Sequence, residues 1–267
     1  MKPLILGLIL TILFHQAGGT QSSSDKDLIN AVKQSDVKTV RLLLARGANP
    51  NALWNNPATL EHPERLLEEA RGSKRLTGIA PPSVLMISLG CLATDDPDWL
   101  KRDPNPYRSG GNPEITRDLI RAGANVQVRD ADSGATALML AAQYQDDATV
   151  ALMIHHGAKV DDRDSIGATA LIHAMMSDKD QTATIKLLLK HKADANARMR
   201  DGSVPLCYVM SPGELKYVRL LVRSGATLNA RDKHGRTVLR QMIDSKTSIL
   251  PTSGRVMRLV RKLGGHE

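Results

Sequence analysis

GATALMLAA at residues 134–142 returns 33 positions later as GATALIHAM at residues 167–175. A period of this length constrains the fold more tightly than any composition. A unit of some thirty residues is too small to enclose a core, and it is stable only when copies of itself cover its faces. The echo runs along the chain. LLARGANP (43–50), LIRAGANV (119–126), MIHHGAKV (153–160), LLKHKADA (188–195) and LVRSGATL (221–228) each join an aliphatic pair to small residues, with starts 76, 34, 35 and 33 residues apart. Upstream of these segments lie shorter apolar runs: LINAV (28–32), VLMIS (84–88), ALMLAA (137–142), ALIHAM (170–175), PLCYVM (205–210) and VLRQMI (238–243).

Each unit therefore reads as a short apolar helix, a turn, a second helix with Val150, Leu152 and Met153 on its inner side, a glycine cap and an extended link such as NARD. Glycine is expected just past a helix end because it tolerates positive φ. Helices of eight to ten residues do not persist alone in water, so stacking must supply the stability. Aromatic residues are only 3% of the chain and Phe14 is its one phenylalanine, so the core is aliphatic, which suits thin, closely stacked helices.

In these segments the chain resembles the ankyrin repeat family, whose unit is about 33 residues with a Thr-Pro-Leu-His turn. The corresponding turns here are ATAL (135–138), ATAL (168–171), SVPL (203–206) and RTVL (236–239). Ala137 and Ala170 stand where the family favours Pro, and Lys192 stands where it favours Gly. The resemblance implies an all-α ankyrin-repeat solenoid of five to six helix-turn-helix units over residues 25–263, with short extended or hairpin links. The final segment, SGRVMRLVRKLGG, places Val256, Leu259, Val260 and Leu263 on one side and Arg255, Arg258 and Arg261 on the other. It reads as a terminal cap with a polar outer side rather than a membrane helix.

The 76-residue step exceeds the period, and the excess falls in two inserts, residues 53–78 and 91–111. Insertions in repeat arrays become surface loops, often on the binding side. Both tryptophans, Trp54 and Trp99, lie in them, with Arg102 and Tyr107 beside the second. Trp, Tyr and Arg are the types enriched at interface hot spots, so these four residues are the candidate protein-binding site. The competing expectation is that the inserts fold back and the tryptophans seal the flank of the stack. Within the first insert, PERLLEEARGSKRL reads as a short helix beginning at Pro63.

No catalytic constellation appears. The chain lacks Gly-x-Ser-x-Gly, a P-loop, His-Glu-x-x-His and Cys-x-x-Cys. His155 and His156 end a helix and are expected to diverge, and His173, His191 and His234 fall about one per unit, so no metal site and no cofactor are expected. The acid pairs Asp95-Asp96, Asp146-Asp147 and Asp161-Asp162 sit in turns, where they cap helices. Arg129, Arg163, Arg198 and Arg231 recur once per unit in the links; a structural ladder is the first reading and an acidic partner the second. Cys91 and Cys207 are three stacking steps of about 8–10 Å apart, beyond disulfide reach, so two free thiols are expected.

Lys2 before an apolar run from Leu4 to Phe14, then Ala17, Gly18 and Gly19, has the form of a secretory leader of residues 1–19, too short to span a bilayer. The absence of an Asn-x-Ser/Thr acceptor leans toward a bacterial periplasm. Lys+Arg exceed Asp+Glu by 36 to 28, a formal +8. That excess is mild and spread along the chain, without a recognition motif or stacking aromatics, and no nucleic-acid partner is expected. The resemblance implies a non-enzymatic protein-binding module, monomeric and periplasmic. Among exported bacterial ankyrin proteins, some are immunity or self-protection proteins that occlude a toxin or cell-wall enzyme and others are associated with oxidative-stress defence. The favoured expectation is a stoichiometric inhibitor or immunity protein against an envelope-acting enzyme or toxin; the alternative is a scaffold or oxidative-stress-associated protein without an inhibitory role.

Overall fold

The computed structural model describes residues 22–54, 83–90, 111–130, 133–209, 214–244 and 254–267. The expected leader, the helix expected from Pro63, and Cys91, Trp99, Arg102 and Tyr107 lie outside these residues. Within them the architecture is all-α: eleven helices and one 3₁₀ turn, with three isolated bridges in place of strands. Six successive pairs account for them. The first members are α1 (Ser23–Lys33), α3 (Val84–Ser88), α5 (Ala137–Tyr144), α7 (Ala170–Met175), the 3₁₀ turn (Pro205–Tyr208) and α10 (Val238–Asp244). The second members are α2 (Val37–Ala45), α4 (Pro113–Arg121), α6 (Asp147–His155), α8 (Thr182–Lys190), α9 (Glu214–Arg223) and α11 (Gly254–Lys262).

The second helices form one layer, each packed on the next from α2 through α11, and the first members form the other. The core lies between the layers. Every residue from Ala137 to Ala142 of α5 is buried, whereas the second helices bury one stripe each: Ile185 and Leu188 in α8, Tyr217, Val218 and Leu221 in α9, Val256, Met257 and Val260 in α11. Leu152 is only partly buried beside Val150 and Met153.

Side-chain caps begin several of the helices, though not α7 or α8. Asp36, Asn112, Thr136 and Asp146 accept from backbone N–H groups in the first turns of α2, α4, α5 and α6. Val204 stands where Thr136 caps α5; it has no hydroxyl, and the segment it opens is only a 3₁₀ turn. Second helices end on Gly47, Gly123, Gly157, Gly225 and Gly264, all at φ between +87° and +102°. The next N–H then returns to the carbonyl five residues back, as in Ala124 N to Leu119 O at 3.0 Å. Lys192 takes the same role at φ +67°, and Ala193 N still reaches Leu188 O at 3.0 Å. The missing glycine strains a cap without moving the register.

Two local expectations are corrected. Leu263 lies past the end of α11 and is 40% exposed, and Met257 takes its place in the buried stripe. The rings of His155 and His156 do not diverge: they stand edge to face, centroids 5.7 Å apart, because the helix ends between them.

Candidate functional site

Between units the chain turns through a finger, a tight hairpin closed by the bridges Arg129 to Thr136 and Arg231 to Thr237. Adjacent fingers are hydrogen-bonded at their tips. Ser165 N donates to Ser133 O at 2.8 Å, Arg200 N to Ile166 O at 2.9 Å and Lys233 N to Asp201 O at 3.0 Å. The approach is close enough that a Cβ at Gly202 would lie 2.7 Å from Lys233 N. Here a glycine is required by space as well as by its φ of +85°.

Two side-chain ladders brace the fingers. Arg129 donates to Gly134 O (3.0 Å) and to Arg163 O (2.9 Å) and pairs with Asp162 (2.5 Å). Arg163 donates to Arg198 O; Arg198 donates to Gly202 O (3.2 Å) and Arg231 O (2.7 Å), and Arg231 to Gly235 O (2.6 Å). The recurring arginines are thus structural, as first read. The second ladder is made of amides that sequence reading missed. Asn51, Gln127, Asn196 and Asn229 each donate to the next unit's cap-glycine carbonyl, on Gly123, Gly157, Gly225 and Gly264. Asn51, Asn196 and Asn229 also accept from the N–H two residues further on. The signal was available: an amide stands two residues before Arg129, Arg198 and Arg231, and Asp161 holds that place before Arg163.

On this backing the finger side presents apolar groups. Ile166 at a finger tip and Met176 at the end of α7 are 47% and 46% exposed, two of the five large hydrophobics exposed among the described residues. Between fingers and first helices run His173 and Tyr208, half-buried and in equivalent positions of neighbouring units. His173 is held from both sides, Nδ1 2.9 Å from Gln143 Oε1 and Nε2 3.0 Å from Asp164 Oδ2. Burial alone would raise the Asp164 pKa, yet the bonds from His173 and from the N–H groups of Ile166 and Ala168 hold it below the usual carboxylate value.

Trp54 lies just past Leu53, which bridges to Ser83 where other units close a finger. Its indole is half-buried against the core, with Lys33 Nζ 4.7 Å from the ring centroid. Aspartate or methionine occupies the matching place in later units, at Asp130, Asp164, Met199 and Asp232. The first insert therefore opens from a finger at the start of α3. The second opens at the other end: Asn112 N donates to Ser88 O at 3.0 Å, and Gly111 sits so close to Ser88 O and Gly90 N that a Cβ would collide with both. Thr116 Oγ1 and Gln145 Nε2 join that buried node, at 3.1 and 3.2 Å from Ser88 O. The roots of the two inserts are thus separated by the length of α3, about 7–8 Å at 1.5 Å per residue.

Among the described residues of this surface no catalytic constellation is assembled. A depression of about 550 Å³ between α4 and α6 is lined by Arg117, Arg121, Ala148, Ala151, Leu152 and His155, with no nucleophile or carboxylate. Among the described residues no three His, Cys, Asp or Glu side chains group to hold a metal, and no helix is long and apolar enough to cross a membrane. Cys207 is a free thiol, buried, its pKa pushed up to about 11 by desolvation, which makes it a poor nucleophile.

Residues 107–199 match the family model for ankyrin repeats in three copies. Human ankyrin repeat and SOCS box protein 6 is 30% identical over 131 residues, 47% of this chain and 31% of that protein. Human neurogenic locus notch homolog protein 2 is 28% identical over 160 residues, 60% of this chain and 6% of its own length. The chain thus spans less than a third of these relatives. The crystal structure of the ankyrin repeat domain of Bcl-3, described as a unique member of the IkappaB protein family, superposes with a TM-score of 0.57 at 26% identity, covering 95% of this chain and 90% of that one.

Proposed function

The chain belongs to the ankyrin-repeat family, whose repeats are protein–protein interaction modules, and from that premise we propose that it is an exported, stoichiometric binder that occludes an enzyme or toxin acting on the cell envelope. The observation that carries the reading is the finger side of the third to fifth units. Its fingers are hydrogen-bonded to one another at their tips, and it holds Ile166 and Met176 outward near the half-buried His173 and Tyr208. Preorganised apolar anchors bind without a further ordering cost. Trp54, half-buried at the start of the first insert, is the next candidate contact, and Trp99, Arg102 and Tyr107 are further candidates on their residue types. The leader pattern of residues 1–19 supports export.

The test is affinity capture by the full chain in its native cell, beside Ile166→Asp/Met176→Asp and Trp54→Ala/Trp99→Ala. The expected result is one stoichiometric partner in the envelope fraction, whose activity falls as the chain is added, with affinity down at least about tenfold, or about 1.4 kcal/mol, in the first variant. A partner that keeps full activity when saturated assigns the chain to the scaffold class; no partner, or equal capture by all three proteins, overturns the proposal.

A further inference from the structure

Counting back from each helix-capping residue places the second helices in a common register. The position six residues before the cap holds Arg41, Arg117, Ala151, Lys186, Arg219 and Arg258; the position two before it holds Ala45, Arg121, His155, Lys190, Arg223 and Lys262. Two rows of cations therefore cross the outer layer. In the first two units they are neutralised. Arg41 pairs with Glu114 and Asp118 at 2.6 and 2.7 Å, Arg117 with Asp146 at 2.7 Å and Arg121 with Asp118 at 3.2 Å.

In the last three units all six cations are exposed, and none has an ion-pair partner among the described residues. The position of Asp118 is taken there by Leu187, Leu220 and Leu259, each half-buried, and that of Glu114 by Ala183, Lys216 and Arg255. Neither α8 nor α11 contains an acidic residue. The fold thus sets six of the chain's cations side by side on one face.

We infer that this face of α8, α9 and α11 docks on an anionic lipid surface. The rows span three packed helices about 8–10 Å apart, and within a helix the paired cations are about 6 Å apart along the axis, giving a two-dimensional array of positive charge. A folded protein partner calls for exposed aromatic or aliphatic anchors at its centre; among the described residues this layer exposes only Leu42 and Leu263, one at each end. A nucleic acid offers nothing for the half-buried leucine row, whereas a headgroup region accepts both the cations and the leucine edges. Each Lys or Arg near such a surface contributes about 1 kcal/mol, which suits reversible docking without insertion.

The experiment is co-sedimentation of the full chain with vesicles of phosphatidylcholine alone or with about a third phosphatidylglycerol, at about 50 and 500 mM salt, where the Debye length falls from above 10 Å to below 5 Å. Lys186→Glu/Arg219→Glu/Arg258→Glu is compared with Arg200→Glu/Lys233→Glu/Arg240→Glu, which makes the same change of net charge on the finger side. The expected result is binding to anionic vesicles at low salt, released at high salt, reduced at least about tenfold in the first variant and little changed in the second. Equal binding to neutral vesicles, equal loss in the two variants, or tighter binding to double-stranded DNA than to the vesicles at matched phosphate would overturn it.

Discussion

The finger side and the outer helix layer both carry arginine or lysine at recurring positions of the repeat, and they use it in opposite ways. On the fingers the guanidinium of Arg198 is spent on the carbonyls of Gly202 and Arg231. On the outer layer Arg219, 21 residues further along, has no such partner among the described residues. The chemistry of the side chain is the same; what differs is whether unsatisfied backbone acceptors lie within reach. A periodic charge is thus a brace or a free surface according to its surroundings, and only the former is expected to carry stability.

The largest effect should be common to both sides, because both rest on the core between them. Leu188→Ala, at a fully buried site of α8, is expected to cost about 2–5 kcal/mol in urea denaturation. A smaller loss would mean that the two layers are not held by one core. Next, Asn196→Ala removes a bond to Gly225 O at 2.9 Å and one from Thr227 N at 2.7 Å. Its expected cost is about 1–2 kcal/mol, and a neutral outcome would reduce the amide ladder to decoration. Lys192→Gly sharpens the contrast in the other direction. Relief of the positive φ should raise stability by about 1 kcal/mol, seen as a higher melting temperature, without altering the neighbouring cations.

The Asp164 carboxylate on the finger side gives a pH dependence. The folded-state pKa of Asp164 is lowered, so the carboxylate's contribution is fully present above its ordinary value near 3.8 and is lost as pH falls through the lowered value. Urea titrations at decreasing pH should show this loss, and Asp164→Asn should flatten the curve. An unchanged slope would remove His173 and Asp164 from the bracing of that surface.

Much of this was legible in the sequence because a repeat reports its own register. The 33-residue echo, the cap glycines and the once-per-unit link arginines all followed from period and helix-end chemistry. The partners of those arginines did not, since a backbone carbonyl carries no sequence signature. Nor did the outer-layer pairing. Arg41 meets Glu114 and Asp118 across more than seventy residues, and the second insert interrupts the count. The finger-side anchors escaped notice because Ile166 and Met176 look like ordinary aliphatic residues until the fold leaves them exposed. The aromatic signal pointed to the inserts instead, where Trp54 proves to be half-buried beneath Lys33 and Trp99, Arg102 and Tyr107 lie beyond the described residues.

The most direct measurement is the urea unfolding free energy of Arg198→Ala set beside that of Arg219→Ala. The account predicts a loss of about 1–2 kcal/mol for Arg198→Ala and a change within about 0.5 kcal/mol for Arg219→Ala. Equal losses would contradict it, by showing that the outer cations brace the array as the finger arginines do and are not free to meet a partner.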